Sequence, residues 1–147
     1  MKYKAFFEKM FLPLILVPFG FFLFNSCGGR PDPRKTVMDF VKAVAQSDSL
    51  TLDNLVDFEV FTQKKYPDLP EEKIPATKQR LKRNLLKSGI TRVKWENYRK
   101  VLGDVKFEGD TANVELTLMH LKTGIYSYTT VRMYLKEGKW KIFYYED

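Results

Sequence analysis

Apolar residues change their spacing along this chain. From Met10 to Phe24 they run for 15 residues without a charged or strongly polar side chain. From Pro33 they take helical spacing: Val37, Phe40, Val41 and Val44 fall at i, i+3, i+4 and i+7, a single stripe on a helix. From Ile90 to the C-terminus they alternate with polar residues, the period of a half-buried strand.

Punctuation residues divide these stretches into elements. Asp32 as N-cap and Pro33 at the first helical position predict a helix from Pro33 to about Gln46, broken by Ser47-Asp48-Ser49. Thr51 predicts the cap of a short second helix, Leu52 to about Phe58, and the stretch from Lys64 to Leu69 reads as a loop. Pro70-Glu71-Glu72 opens a third helical segment, interrupted at Pro75. Its main body runs from Ala76 to Lys87, with Leu81 and Leu85 paired and Gly89 as the C′ residue.

Four strands follow, at about Thr91–Leu102, Thr111–Leu121, Ile125–Lys136 and Lys139–Tyr145. Glu108-Gly109-Asp110, Lys122-Thr123-Gly124 and Glu137-Gly138 are hairpin turns, and Gly103-Asp104 marks a bulge after which Val105 and Phe107 extend the first strand. Val114, Leu116, Leu118 and His120 share one face of the second strand. In the third strand Val131, Met133 and Leu135 oppose Tyr126, Tyr128, Arg132 and Tyr134. In the last, Trp140, Ile142 and Tyr144 oppose Lys141, Phe143 and Tyr145. This alternation predicts that Trp140 packs on the first helix near Phe40 or Val44. The fold class is α+β, helices packed on one side of a four-stranded antiparallel sheet.

The leader decides where such a domain would reside. Lys2, Lys4 and Lys9 precede the apolar run, which is long enough for a secretory signal and short of the roughly 20 residues a membrane-spanning helix needs. The run closes at Asn25-Ser26-Cys27, followed by Gly28-Gly29, and Cys27 is the chain's one cysteine. This ending resembles the lipobox of bacterial lipoproteins, with Phe24 where that motif prefers leucine. The resemblance implies cleavage before Cys27 and acylation of Cys27, with palmitate among the usual chains. The division is then a signal peptide over residues 1–26, the lipidated cysteine and tether over 27–32, and a domain over 33–147. The location is a cell envelope, anchored to a membrane and facing the periplasm or exterior. An ordinary signal peptide with an incidental cysteine, or an uncleaved anchor, would account for the same residues.

Charge narrows the partners. The chain carries a formal +7; three of its 25 basic and one of its 18 acidic residues lie in the leader, leaving about +5 beyond it. That balance suits anionic headgroups or cell-wall polymers, and equally an ordinary soluble domain. No nucleic-acid motif is present, and an exported chain is a poor nucleic-acid partner.

The order of elements resembles the NTF2-like (cystatin-like cone) superfamily, particularly its small bacterial lipoproteins. The matching stretches are PRKTVMDFVKAVAQSDSLTLDNLV and the closing hairpin VRMYLKEGKWKIFYYED. The resemblance implies a curved sheet wrapped on the long helix around a cone-shaped cavity. Members use that cavity for catalysis, ligand binding or dimerisation, so the fold names no single function.

Candidate chemistry is sparse. His120, the one histidine, reads as a general base in the cone or as a hydrogen-bonded residue at a strand end. One histidine and an acylated cysteine cannot supply a zinc site, and no phosphate loop, HExxH or CxxC is present, so no metal or cofactor is expected. Arg80, Arg83 and Lys87 share a helix face that would meet anionic lipid or simply water. Tyr126, Tyr128, Arg132 and Tyr134 would line a ligand groove or interface, or form the sheet's outer face. These residues predict a binding or interaction module for a small ligand or envelope protein, with a homodimer through the sheet as one arrangement. A small envelope enzyme using His120 is the alternative.

Overall fold

In the computed structural model, residues 29–146 are described; the leader and Cys27, with the signal and lipidation expectations attached to them, lie outside the described residues. The described residues from Pro31 onward form one compact unit. The helix α1 spans Pro33–Gln46, capped by Asp32, whose side chain accepts the Arg34 N–H at 2.9 Å. Val37, Phe40, Ala43 and Val44 are its buried stripe, and Ser47 closes it in the left-handed region at φ 56°.

The next two helices differ from expectation. α2 spans Ser49–Leu55 and is capped by Asp48, which takes both the backbone N–H and the hydroxyl of Thr51. It stops at Leu55 because Val56 forms a parallel bridge with Ile142, and the Asp57 N–H donates to the Ile142 carbonyl at 2.8 Å. Asp57 then caps α3, Phe58–Lys65, which the sequence reading missed. Its buried positions, Phe58, Phe61 and Thr62, carry helical spacing over barely two turns, too short a stretch for periodicity to stand out.

A single 3₁₀ turn, Glu71–Lys73, leads into α4, Ile74–Asn84. Pro75 sits in the first turn of α4 instead of interrupting it, where its missing N–H costs nothing. Leu81 and Leu85 are buried as a pair. Gly89 is not the C′ residue: its φ is −73°, and Ser88 takes the left-handed conformation at 65°. Glycine is required at 89 for another reason. A Cβ there would stand 2.3 Å from the Arg83 and Asn84 carbonyl oxygens.

The largest correction lies in the expected first strand. Ile90–Glu96 is a helix, α5, and the strand begins only at Tyr98. The stretch is rich in Ile, Thr, Val and Trp, which favour strands locally, but tertiary contacts override that preference. Thr91 and Trp95, four residues apart, are buried together, and the Trp95 ring meets Phe40 edge-on at 5.7 Å. Arg92 donates to the Val44 and Ala45 carbonyls at 3.2 and 3.0 Å, satisfying the C-terminal end of α1.

The sheet is an antiparallel meander of β1 (Tyr98–Glu108), β2 (Thr111–His120), β3 (Tyr126–Lys136) and β4 (Lys139–Tyr145), in that order. The register shifts between Leu102 and Val105, at the expected bulge. A second shift, not expected, falls on β4: Met133 pairs with Ile142 but Arg132 pairs with Tyr144, so Phe143 is the extra residue. The alternation slips there. Tyr145, not Tyr144, turns inward with Trp140 and Ile142.

One core lies between the helices and the sheet's inner face. Tyr145 packs against Phe61, Phe40 and Trp95 at ring distances of 4.9, 5.6 and 5.9 Å. Leu85, Leu116, Val131 and Met133 complete the packing. Trp140 is buried too, but away from Phe40: its indole N–H donates to the Pro31 carbonyl at 2.6 Å, at the start of α1. The ring against Phe40 is that of Trp95. Among the described residues no helix is long and apolar enough to cross a membrane.

Candidate functional site

His120 ends β2, with its ring edge against Tyr98 at 5.1 Å. Its Nδ1 accepts the Thr123 N–H at 3.2 Å and lies 3.0 Å from the Thr123 hydroxyl. These partners belong to the turn that follows, so the ring closes the β2–β3 hairpin. Lys100 also faces inward from β1, donating to the Trp95 carbonyl; burial lowers its pKa, against the raising effect of Glu96.

The tyrosine–arginine set on β3 does not converge. Tyr126 and Tyr128 stand exposed near the β2–β3 turn, while Tyr134 lies roughly 26 Å along the strand at about 3.3 Å per residue. The Arg132 guanidinium lies over the Tyr144 ring at 5.7 Å, and Tyr144 stacks on Phe61 at 5.8 Å. The Tyr134 hydroxyl donates to Asp57 Oδ2 at 2.6 Å.

Asp57 was not among the candidates, and it stands at the most elaborated polar site of the domain. It caps α3, ties the α2–α3 corner to β4 and accepts from Tyr134. Burial pushes its carboxyl up. The Tyr134 hydroxyl, the Val60 N–H, the Lys136 charge and the Glu59 N–H outweigh that and hold it below the ordinary carboxylate value. The same bond, with burial and the Asp57 charge, pushes Tyr134 up to about 12. Its one sequence signal was an aspartate before Phe58, Phe61 and Thr62 at helical spacing.

Beside this pair lies a groove of about 620 Å³, walled by the α2–α3 corner, Lys78 of α4 and the β3–β4 hairpin. Lys136, Glu137, Lys139 and Lys141 line it from the hairpin, and Asp53, Asp57 and Glu59 from the α2–α3 corner. Such mixed charge suits a polar, zwitterionic or peptide-like ligand better than an apolar one. A second groove, of about 590 Å³, opens at the α4–α5 turn between Ser47, Arg83, Lys87 and Ile90. The basic residues of α4 therefore separate: Lys78 serves the first groove and Arg83 the second, Lys82 pairs with Asp53 at 2.6 Å, and Arg80 lies over the Tyr66 ring at 5.8 Å. Among the described residues no three His, Cys, Asp or Glu side chains gather as a metal site.

The helices, the antiparallel meander and the inward-facing core can be set beside solved structures. A crystal structure from Campylobacter jejuni, described as an NTF2-like transpeptidase, superposes with a TM-score of 0.51, covering 76% of this chain and 96% of its own. The fold is NTF2-like. At 11% identity the likeness carries the fold alone. The sequence matches no described protein family and no curated protein. In this NTF2-like domain Phe40, Phe61, Trp95 and Tyr145 pack together between the helices and the sheet.

Proposed function

We propose that the chain is an exported lipoprotein, anchored through a lipid on Cys27, whose NTF2-like domain is a binding module of the cell envelope. The observation that carries the binding half is the filled interior. Aromatic rings fill the space between the helices and the sheet, while charged side chains of both signs line the groove beside Asp57 and Tyr134. That groove is the proposed ligand site, for a small polar ligand or a segment of an envelope protein. The anchor half is supported by Lys2, Lys4, Lys9, the apolar run and Ser26-Cys27-Gly28. Two or three acyl chains would hold the domain stably, at about 0.8 kcal/mol per buried CH₂.

The test of the anchor is Cys27→Ser with palmitate labelling and detergent-phase partitioning. The wild type should label and enter the detergent phase, and the variant should do neither. Wild-type protein that partitions into water as fully as the variant would overturn the anchor. For the groove, Lys136→Glu with Lys139→Glu should abolish the envelope phenotype of a deletion-complementing copy while leaving its amount unchanged. Full complementation would remove the groove from the function.

One contact favours a second reading, an acyl-transfer enzyme in the manner of the Campylobacter protein's description. Thr123 Oγ1 lies 3.0 Å from His120 Nδ1, the separation of a nucleophile and its base. The same nitrogen also accepts the Thr123 N–H, which makes the contact a turn closure first. A stable His120→Ala protein that loses the phenotype would favour the enzyme.

A further inference from the structure

Acidic residues are missing from two long stretches of the chain. None lies between Glu72 and Glu96, an interval holding eight lysines and arginines, and none between Glu115 and Glu137. The fold joins parts of both stretches into one strip. The α4–α5 groove presents Arg83, Lys87 and Ile90. From Ile90 the exposed side of α5 continues through Val93, Lys94 and Asn97, at i, i+3, i+4 and i+7. The Asn97 carbonyl accepts the Leu121 N–H at 2.9 Å, which fastens this helix face to the tip of the β2–β3 hairpin. On the tip Leu121 and Ile125 are 63% and 67% exposed, followed by Tyr126 and Tyr128. The carboxylate within the strip, Glu96, is paired with Arg92 at 2.7 Å.

We propose that this strip docks on an anionic lipid bilayer. Leu121 and Ile125 enter the boundary between headgroups and acyl chains, with Tyr126 at headgroup level. Arg83, Lys87, Lys94 and Lys122 meet the lipid phosphates. Aliphatic side chains on a convex hairpin tip, bordered by tyrosine and lysine, match a membrane interface, which needs no complementary shape. An acidic protein would satisfy the cations but offers no general reason for exposed Leu and Ile at the apex. The tip lies at the opposite end of β3 from Pro31, which the Trp140 indole holds near the β3–β4 turn.

The test uses a chain beginning at Arg30, which retains every side chain of the core, Val37 to Tyr145. It should co-sediment with vesicles of phosphatidylglycerol and phosphatidylcholine in equal parts, and not with phosphatidylcholine alone. Leu121→Asp with Ile125→Asp should weaken binding by more than about tenfold, and Lys87→Gln or Lys122→Gln by about fivefold each. Ile125→Trp should show a blue-shifted emission on the anionic vesicles. Absence of binding by the cooperatively folded wild type would overturn the proposal, as would binding unaffected by the tip substitutions. Binding to polyglutamate but not to vesicles would also overturn it, and would assign the strip to an acidic protein.

Discussion

The Tyr134 hydroxyl donates to Asp57 Oδ2 at 2.6 Å, joining the third strand to the α2–α3 corner across the edge of the sheet. The corner already pairs with β4 through Val56 and Asp57. The bond therefore fixes the wall of the proposed ligand groove as well as closing the sheet's edge.

Tyr134→Phe should cost about 1–2 kcal/mol, the lower part of the range for a hydrogen bond to a charged group, because the groove is open to water. The pH dependence has two limits. Tyr134 is raised in the folded state, so its contribution is complete below pH 10 and is lost as pH rises through about 12. Asp57 is lowered, so its contribution is complete above its ordinary 3.8 and is lost as pH falls further. Phenolate absorbance should show the Tyr134 titration near 12, and Asp57→Asn should return it toward 10. An unchanged titration in that variant would break the link between the two residues.

How much of this could be read beforehand depended on how local each signal is. The α1 stripe, the three glycine turns and the Gly103 bulge are specified by neighbouring residues, and they stand where the sequence places them. Tyr134 was legible as a polar face residue, but its partner lies 77 positions away. That pairing exists only because the chain crosses the edge of β4. The helix at Ile90–Glu96 was hidden for the same reason: Phe40 and the end of α1 select helix over the strand preference of Thr91, Val93 and Trp95. Phe143 carries no local mark of a bulge, so the inward tyrosine was assigned one place early.

That displaced register makes its own prediction. Tyr145→Ala should cost about 3–5 kcal/mol, as for other buried aromatics. Tyr144→Ala should cost clearly less, since its ring is half-exposed between Phe61 and Arg132. Urea melts of the two variants decide it; a reversed order would restore simple alternation to the last strand.

Two glycines offer a contrast between crowding and backbone strain. Gly89→Ala forces a Cβ onto the last carbonyls of α4 and should cost about 2–3 kcal/mol. Gly109→Ala meets nothing within 4 Å and suffers only the left-handed φ of 60°, so about 1–2 kcal/mol is expected. Thermal melts giving equal losses would mean that the α4–α5 turn relaxes to admit the methyl group.

The beginning of the domain can be tested through Trp140. Its indole N–H is bonded to the Pro31 carbonyl at 2.6 Å, and the residue is 3% exposed. A chain starting at Arg30 keeps that acceptor, while one starting at Asp32 deletes it and leaves a buried donor without its partner. Such a loss costs about 1–3 kcal/mol, and water entering to replace the carbonyl should shift Trp140 emission to the red. Trp95, held by Phe40 and Tyr145, should not respond. Trp95→Phe in both chains isolates the Trp140 signal. Identical spectra and melts for the two would mean that Pro31 contributes nothing to the fold and that the tether extends through Pro31.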